Sequence, residues 1–154
     1  MHDDHQPPAA VFTWSDALDT IDWHEVETLY RLAPLGNKGA AHLQTVFGNS
    51  RFRCFVFDNG QLVAAGRALS DGADCSYICD VAVLPTHQGL GLGKQVVKRL
   101  VDLSHGHKKI ILYAVPGSPL ILERTVRLLQ QRCPVDGVEL DIRPAMSFLD
   151  VAWA

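Results

Sequence analysis

The stretch Val81-Ala82-Val83-Leu84-Pro85-Thr86-His87-Gln88-Gly89-Leu90-Gly91-Leu92-Gly93-Lys94 constrains this chain more than any other. An apolar strand pattern passes through a proline into three alternate glycines, and a helical pattern follows at once. Glycines at this spacing let the backbone approach a ligand closely and aim successive N–H groups the same way. A helix that begins there adds unpaired N–H groups and the positive end of its dipole. The combination predicts a phosphate or pyrophosphate site on Gln88, Gly89, Leu90, Gly91, Leu92, Gly93 and Lys94. The competing reading is a flexible loop without a ligand. Against it stands the run from Lys94 to Val101, in which Val97, Leu100, Val101 and Ser104 share helical spacing while Lys94, Lys98 and Arg99 fall on other faces.

Spacing separates three kinds of glycine-rich phosphate loop. A Walker loop requires Gly, four residues, then Gly-Lys-Ser/Thr. Here Gln88 stands where the first glycine belongs, and Gln95 follows Gly93-Lys94. A dinucleotide fingerprint requires G-x-G-x-x-G and an acid about 20 residues later. Lys94 occupies its third glycine position, and Lys108-Lys109-Ile110-Ile111-Leu112 supplies no acid. The third pattern, Gln/Arg-x-x-Gly-x-Gly/Ala, fits Gln88-Gly89-Leu90-Gly91-Leu92-Gly93 without a mismatch. Led by a strand ending at Pro85, this segment resembles the GNAT superfamily of acyl-CoA-dependent N-acetyltransferases. Tyr77-Ile78-Cys79-Asp80-Val81-Ala82-Val83 and Lys109-Ile110-Ile111-Leu112-Tyr113-Ala114 look like bacterial members related to the arylalkylamine acetyltransferases.

Composition narrows the partners. A chain of 154 residues, 47% hydrophobic and 20% charged, suits one soluble domain with one core, expected over 11–154. The net charge of −3 provides no basic field for nucleic acid, and no apolar run reaches membrane-spanning length. The polar, acidic start Met1-His2-Asp3-Asp4-His5-Gln6-Pro7-Pro8 is unlike a signal peptide, and 1–10 is expected to be a disordered tail. Cys54, Cys75, Cys79 and Cys133 form no C-x-x-C pair; Cys54 and Cys79 read as small hydrophobes in strands, and a reduced cytoplasmic protein is expected. His24, His42, His87, His105 and His107 show no H-x-x-x-H pair, so no metal site is expected. A homodimer stays open.

The element order points the same way. Val11–Trp14 reads as a strand, and Ser15 or Asp16 as the cap of an early turn. Asp22 reads as the N-cap of a helix over 23–33 whose face carries Val26, Leu29, Tyr30 and Ala33. A second helix is predicted over 37–47 with Ala40, Leu43, Val46 and Phe47 inward. Strands follow over 52–58 and 61–69 around Asn59-Gly60, then over 75–84 after Asp71-Gly72. The glycine helix and a strand over 108–115 complete the order. The resemblance implies an α/β (α+β) GNAT-like fold: a mixed, mostly antiparallel central sheet flanked by helices, with a V-shaped splay between the strands at 75–84 and 108–115. It further implies acetyl-CoA as cosubstrate, its pantetheine arm pairing with the backbone of Val81, Ala82 and Val83 and its pyrophosphate on Gln88 to Lys94.

Acetyl transfer by direct attack on the thioester needs a neutral amine, an N–H donor for the tetrahedral intermediate and an acid for the departing thiolate. Backbone N–H near Val81 is the candidate donor. Asp80 is the candidate for recruiting an ammonium or accepting its proton; beside it stands a structural reading, a carboxylate bonded to backbone or to Arg67. Asp74 is a weaker candidate because Asp71-Gly72-Ala73-Asp74 reads as a turn. The family's tyrosine acid, in a Phe-Tyr-x-x-x-Gly-Phe segment, has no match after Tyr113, leaving Ser118, Glu123, Cys133, Tyr77 or Tyr113. Two functions follow: an N-acetyltransferase acting on a primary amine of a small molecule or peptide, or a non-catalytic acyl-CoA-binding or interaction domain. Trp23, Tyr30, Leu35 and Phe47 read either as an aromatic-accepting pocket or as core.

Overall fold

The structure, a computed structural model, describes residues 11–33 and 35–112. Readings that fall on 1–10 or 113–154, including Tyr113, Ser118, Glu123, Cys133 and the later helix and closing strands, lie outside the described residues. The elements run β1 (Phe12–Ser15), α1 (Trp23–Leu32), α2 (Ala40–Gly48), β2 (Phe52–Asp58), β3 (Gln61–Ser70), β4 (Cys75–Val83), a 3₁₀ turn (Pro85–His87), α3 (Leu92–Leu103) and β5 (Lys109–Leu112).

Local chemistry explains most of these boundaries. Asp22 caps α1, its Oδ1 accepting from the amide of His24 at 2.8 Å. The predicted start of α2 at Asn37 is corrected to Ala40. Gly39 takes the N-cap in extended conformation, and the Ala40 amide finds its acceptor on the Glu27 carboxylate of α1 at 3.2 Å. That partner comes from another helix, so no local sequence signal marks it. Asn59 and Gly60, both at positive φ, make the two-residue turn joining β2 to β3. In the next turn Asp71 Oδ1 accepts from the amides of Ala73, Asp74 and Cys75, which holds its carboxyl down at about 2.

The sheet order is β1-β2-β3-β4-β5, antiparallel as far as β4 and parallel between β4 and β5. This is the mixed, mostly antiparallel sheet expected. The parallel step requires a crossover, which α3 provides. Pairing of β4 with β5 runs from Cys75↔Lys109 to Ile78↔Leu112. Of the strands at 75–84 and 108–115 between which a splay is expected, the described residues pair over 75–78 and 109–112, and whatever part of the splay involves residues past Leu112 lies outside the described residues.

Side-chain alternation divides the core between two faces of the sheet. Phe55 and its partner Ala65 lie on the face of α1 and α2, where Phe47 stacks on Phe55 at 5.1 Å and Trp23 and Tyr30 meet Phe47 at 6.0 and 6.1 Å. Tyr30 and Phe47 are fully buried, and Trp23 and Leu35 pack against the same cluster. Tyr30 and Phe47 are therefore core, with Trp23 and Leu35 only partly buried beside them. On the other face α3 lies so close that a Cβ on Gly66 would come within 2.6 Å of Val96 Cγ1.

The buried stripe of α3 is Leu92, Val96 and Leu100, continued by its C-cap Ser104. This corrects the predicted face: Val101 is exposed and Val97 only half-buried. Stepping by four from Leu92 brings Ser104 against Ser76 of β4, and their hydroxyls bond at 2.6 Å within the core. Cys54 and Cys79 are buried, and Cys75 is also unpaired. Among the described residues no helix is long and apolar enough to cross a membrane, and no cluster of His, Cys, Asp and Glu could hold a metal ion.

Candidate active site

The site is built where β4 breaks its own regularity. Arg67 pairs with Cys79 and Ala65 with Ala82, so β4 spends one more residue than β3 over this interval, and Gly66 faces both Asp80 and Val81. Asp80 absorbs the bulge in the left-handed region at φ 53°. Aspartate tolerates that conformation better than most residues, a faint signal the strand pattern conceals.

Three residues hold the bulge. The Tyr30 hydroxyl of α1 donates a hydrogen bond to the carbonyl of Asp80. Lys38 Nζ, from the segment between α1 and α2, reaches Asp80 Oδ1 at 2.7 Å. Arg67 of β3 approaches Oδ2 through Nε and Nη2, each at 2.7 Å, while its Nη1 donates to Ser50 Oγ at 3.1 Å. Burial pushes the Asp80 carboxyl up, but hydrogen bonds from Lys38 and Arg67, together with their charges, outweigh it and hold the group below the usual carboxylate range. Burial raises the Tyr30 hydroxyl well above its ordinary value, and the charge of Asp80 adds to it. Burial likewise pushes up the Cys79 thiol and carries Cys54 to about 12, so neither is poised as a thiolate.

The Arg67 contact fulfils the structural reading of Asp80. As a base the carboxylate is weak: both oxygens already face cations, and its proton affinity is reduced. Asp74 lies at the far end of β4, its carbonyl accepting from the Lys109 amide at 2.9 Å, and belongs to the turn.

Beyond the bulge, Val81 and Val83 are half-buried toward α3 and Ala82 is buried, so what this segment offers a ligand is backbone. The 3₁₀ turn then leads into the glycines. Its His87 bonds Asp58 Oδ2 through Nε2 at 3.1 Å and Thr86 Oγ1 through Nδ1 at 2.8 Å, tying the root of the loop to the β2–β3 hairpin. Sequence reading missed this pair, since Asp58 and His87 are 29 residues apart and belong to no motif. Gln88 Nε2 donates back to the carbonyl of Val83 at 3.2 Å.

Gly91 is the N-cap of α3 at φ 78°, a conformation costly for any residue with a Cβ, and no side chain caps the helix there. The amides of Leu92, Gly93 and Lys94, in its first turn, are those an α-helix leaves without intrahelical acceptors. Gln88 through Gly91 are exposed, and Lys94 stands exposed beside them. Leu92 contributes only its amide, its side chain being core. Beside the loop's root, a cleft of about 560 Å³ runs between α1 and the end of β4, its lining including Leu29, Leu32, Leu62 and Leu84 together with Asp22 and Glu25.

A bulged strand thus feeds an uncapped, glycine-built helix N-terminus in an α/β protein. Residues 13–118 match the acetyltransferase (GNAT) family, and the chain belongs to it. Members of that family use acetyl-CoA and act on amine substrates.

Among curated proteins the chain is similar to serotonin N-acetyltransferase 2, chloroplastic, of Oryza sativa subsp. japonica, with 49% identity over 59 residues, which are 37% of this chain and 30% of that protein. The chain spans less than two thirds of the length of the curated relatives it matches. Among solved structures, the ribosomal-protein-S18-alanine N-acetyltransferase from Escherichia coli is similar with TM-score 0.62 and 18% identity, over 77% of this chain and 76% of that one. Aminoglycoside N-acetyltransferase AAC(6')-Iy in complex with CoA gives TM-score 0.61 and 17% identity, over 92% and 96%. At these identities the solved structures speak for the fold.

Proposed function

We propose that the protein transfers the acetyl group of acetyl-CoA to a primary amine of a small molecule or peptide by direct attack. The observation that carries the reading is the junction of β4 and α3. Gly91 opens the helix without a side-chain cap, nothing lies within 4 Å of a Cβ built on Gly89, and Lys94, in the first turn of α3, is exposed. A pyrophosphate fits a cradle of this kind because unpaired amides, helix dipole and ammonium all favour negative charge. Gln88 to Lys94 would hold the pyrophosphate, and the backbone of Val81, Ala82 and Val83 the pantetheine arm. The cosubstrate supplies an activated thioester carbonyl.

The chain's own residues then have distinct tasks. The backbone of the bulge at Asp80 and Val81 is the candidate oxyanion donor, held in place by Tyr30 and Arg67. Asp80 acts through its charge, drawing an ammonium toward the bulge. Its depressed proton affinity leaves removal of the amine's proton to water. Steady-state release of CoA with a panel of primary amines tests turnover. Release above the rate of hydrolysis with at least one amine supports the reading.

A second reading, an acyl-CoA-binding domain without catalysis, is favoured by the two cations on Asp80, which close the carboxylate to other amines in this conformation. Binding of CoA with no release on any amine would select it.

A further inference from the structure

Lys38 is a primary amine, and it occupies the position that the proposed reaction reserves for one. Its Nζ lies 2.7 Å from Asp80 Oδ1, the carboxylate that would draw the acceptor's ammonium, and 5.5 Å from the centre of the Tyr30 ring. It reaches there from the segment joining α1 to α2, between Gly36 and the Gly39 N-cap of α2. As an ion-pair partner it is not required to neutralise Asp80, because Arg67 already binds the other oxygen twice. Lys38 therefore stands where an acceptor would stand, next to the bulge where the thioester carbonyl is expected.

We propose that Lys38 is an acetylation site of the protein itself: with acetyl-CoA bound and no other amine present, the chain acetylates its own Lys38. This rests on the cofactor reading above. The ammonium of Lys38 first loses a proton to water. The freed Nζ lone pair attacks the thioester carbonyl carbon, the C–N bond forms, the C–S bond breaks, and the second proton of the nitrogen passes, directly or through water, to the departing CoA thiolate. The products are acetylated Lys38 and free CoA, one of each per chain. The acetylated side chain carries no charge, so Asp80 Oδ1 is released to an incoming amine while Arg67 keeps Oδ2.

The test is incubation of the full chain with acetyl-CoA, followed by intact mass measurement and peptide mapping, with the melting temperature recorded alongside. One acetyl group per chain on Lys38 is expected, ahead of Lys98 and Lys109. Those side chains are 72% and 67% exposed against 28% for Lys38, so simple chemical acetylation would reach them first. Lys38→Arg should lose the modification while keeping a cation on Asp80, and Gly91→Asp should lose it with Lys38 intact. If acetyl-CoA raises the melting temperature but Lys38 stays unmodified, self-acetylation is overturned and the cofactor reading stands. Modification of Lys38 at the same rate in Gly91→Asp or in unfolded chain also overturns it. If acetyl-CoA neither binds nor modifies, both readings fail together.

Discussion

Asp80 concentrates three jobs in one residue: its backbone makes the bulge, its carbonyl receives Tyr30, and its carboxylate anchors Lys38 and Arg67. Because its folded-state carboxyl is held below the ordinary value, it stabilises the fold above that value, and the contribution disappears as pH falls through the folded one. Asp80→Asn leaves two cations without their counter-charge. The loss should be smaller than the roughly 3–5 kcal/mol of a fully buried pair, because the side chain keeps some solvent. Urea unfolding should show that loss near neutral pH and a flatter acid limb. If Asp80 works by charge, the same variant should lower turnover more than CoA affinity. Asp71 has a parallel role on the surface, where three amides hold it at about 2. Asp71→Asn should remove the part of the acid limb that lies between the ordinary value of 3.8 and about 2.

Among the elements, β3 and α3 meet so closely at Gly66 that a Cβ does not fit between them. A methyl at Gly66 would strike Val96 at 2.6 Å and Leu100 at 3.2 Å, both on the buried stripe of α3. Gly66→Ala should therefore cost about 1–3 kcal/mol by overpacking, read as an earlier urea midpoint at unchanged slope. The strands and the α1 cap were legible because period-two patterns, Asn-Gly and an Asp before an apolar run are local signals. The face of α3 was misplaced because Val97, Leu100 and Val101 mimic a stripe, whereas the packing follows Leu92, Val96 and Leu100 against Gly66 and β4. The start of α2 depended on Glu27 of another helix. Such long-range partners leave no mark in a window of neighbours.

For the molecule as a whole, the glycine loop was visible in the sequence as a complete motif, and the structure sets it at the end of β4 with its N-cap in the conformation only glycine adopts freely. The ion triad around the bulge was half visible. Arg67 was a foreseeable partner for Asp80, whereas Lys38 sits in a glycine-flanked segment without periodicity and is brought in only by the packing of α1 and α2 on the sheet. The central claim is that this loop and the start of α3 bind the pyrophosphate of CoA. Thermal melting of the wild-type chain and of Gly91→Asp, each with and without CoA, tests it most directly. The expected result is a stabilisation of about 2.7 kcal/mol for the wild type at a hundredfold excess over the dissociation constant, absent in Gly91→Asp. A wild-type melting temperature that millimolar CoA leaves unmoved, or an equal shift in Gly91→Asp, would contradict it.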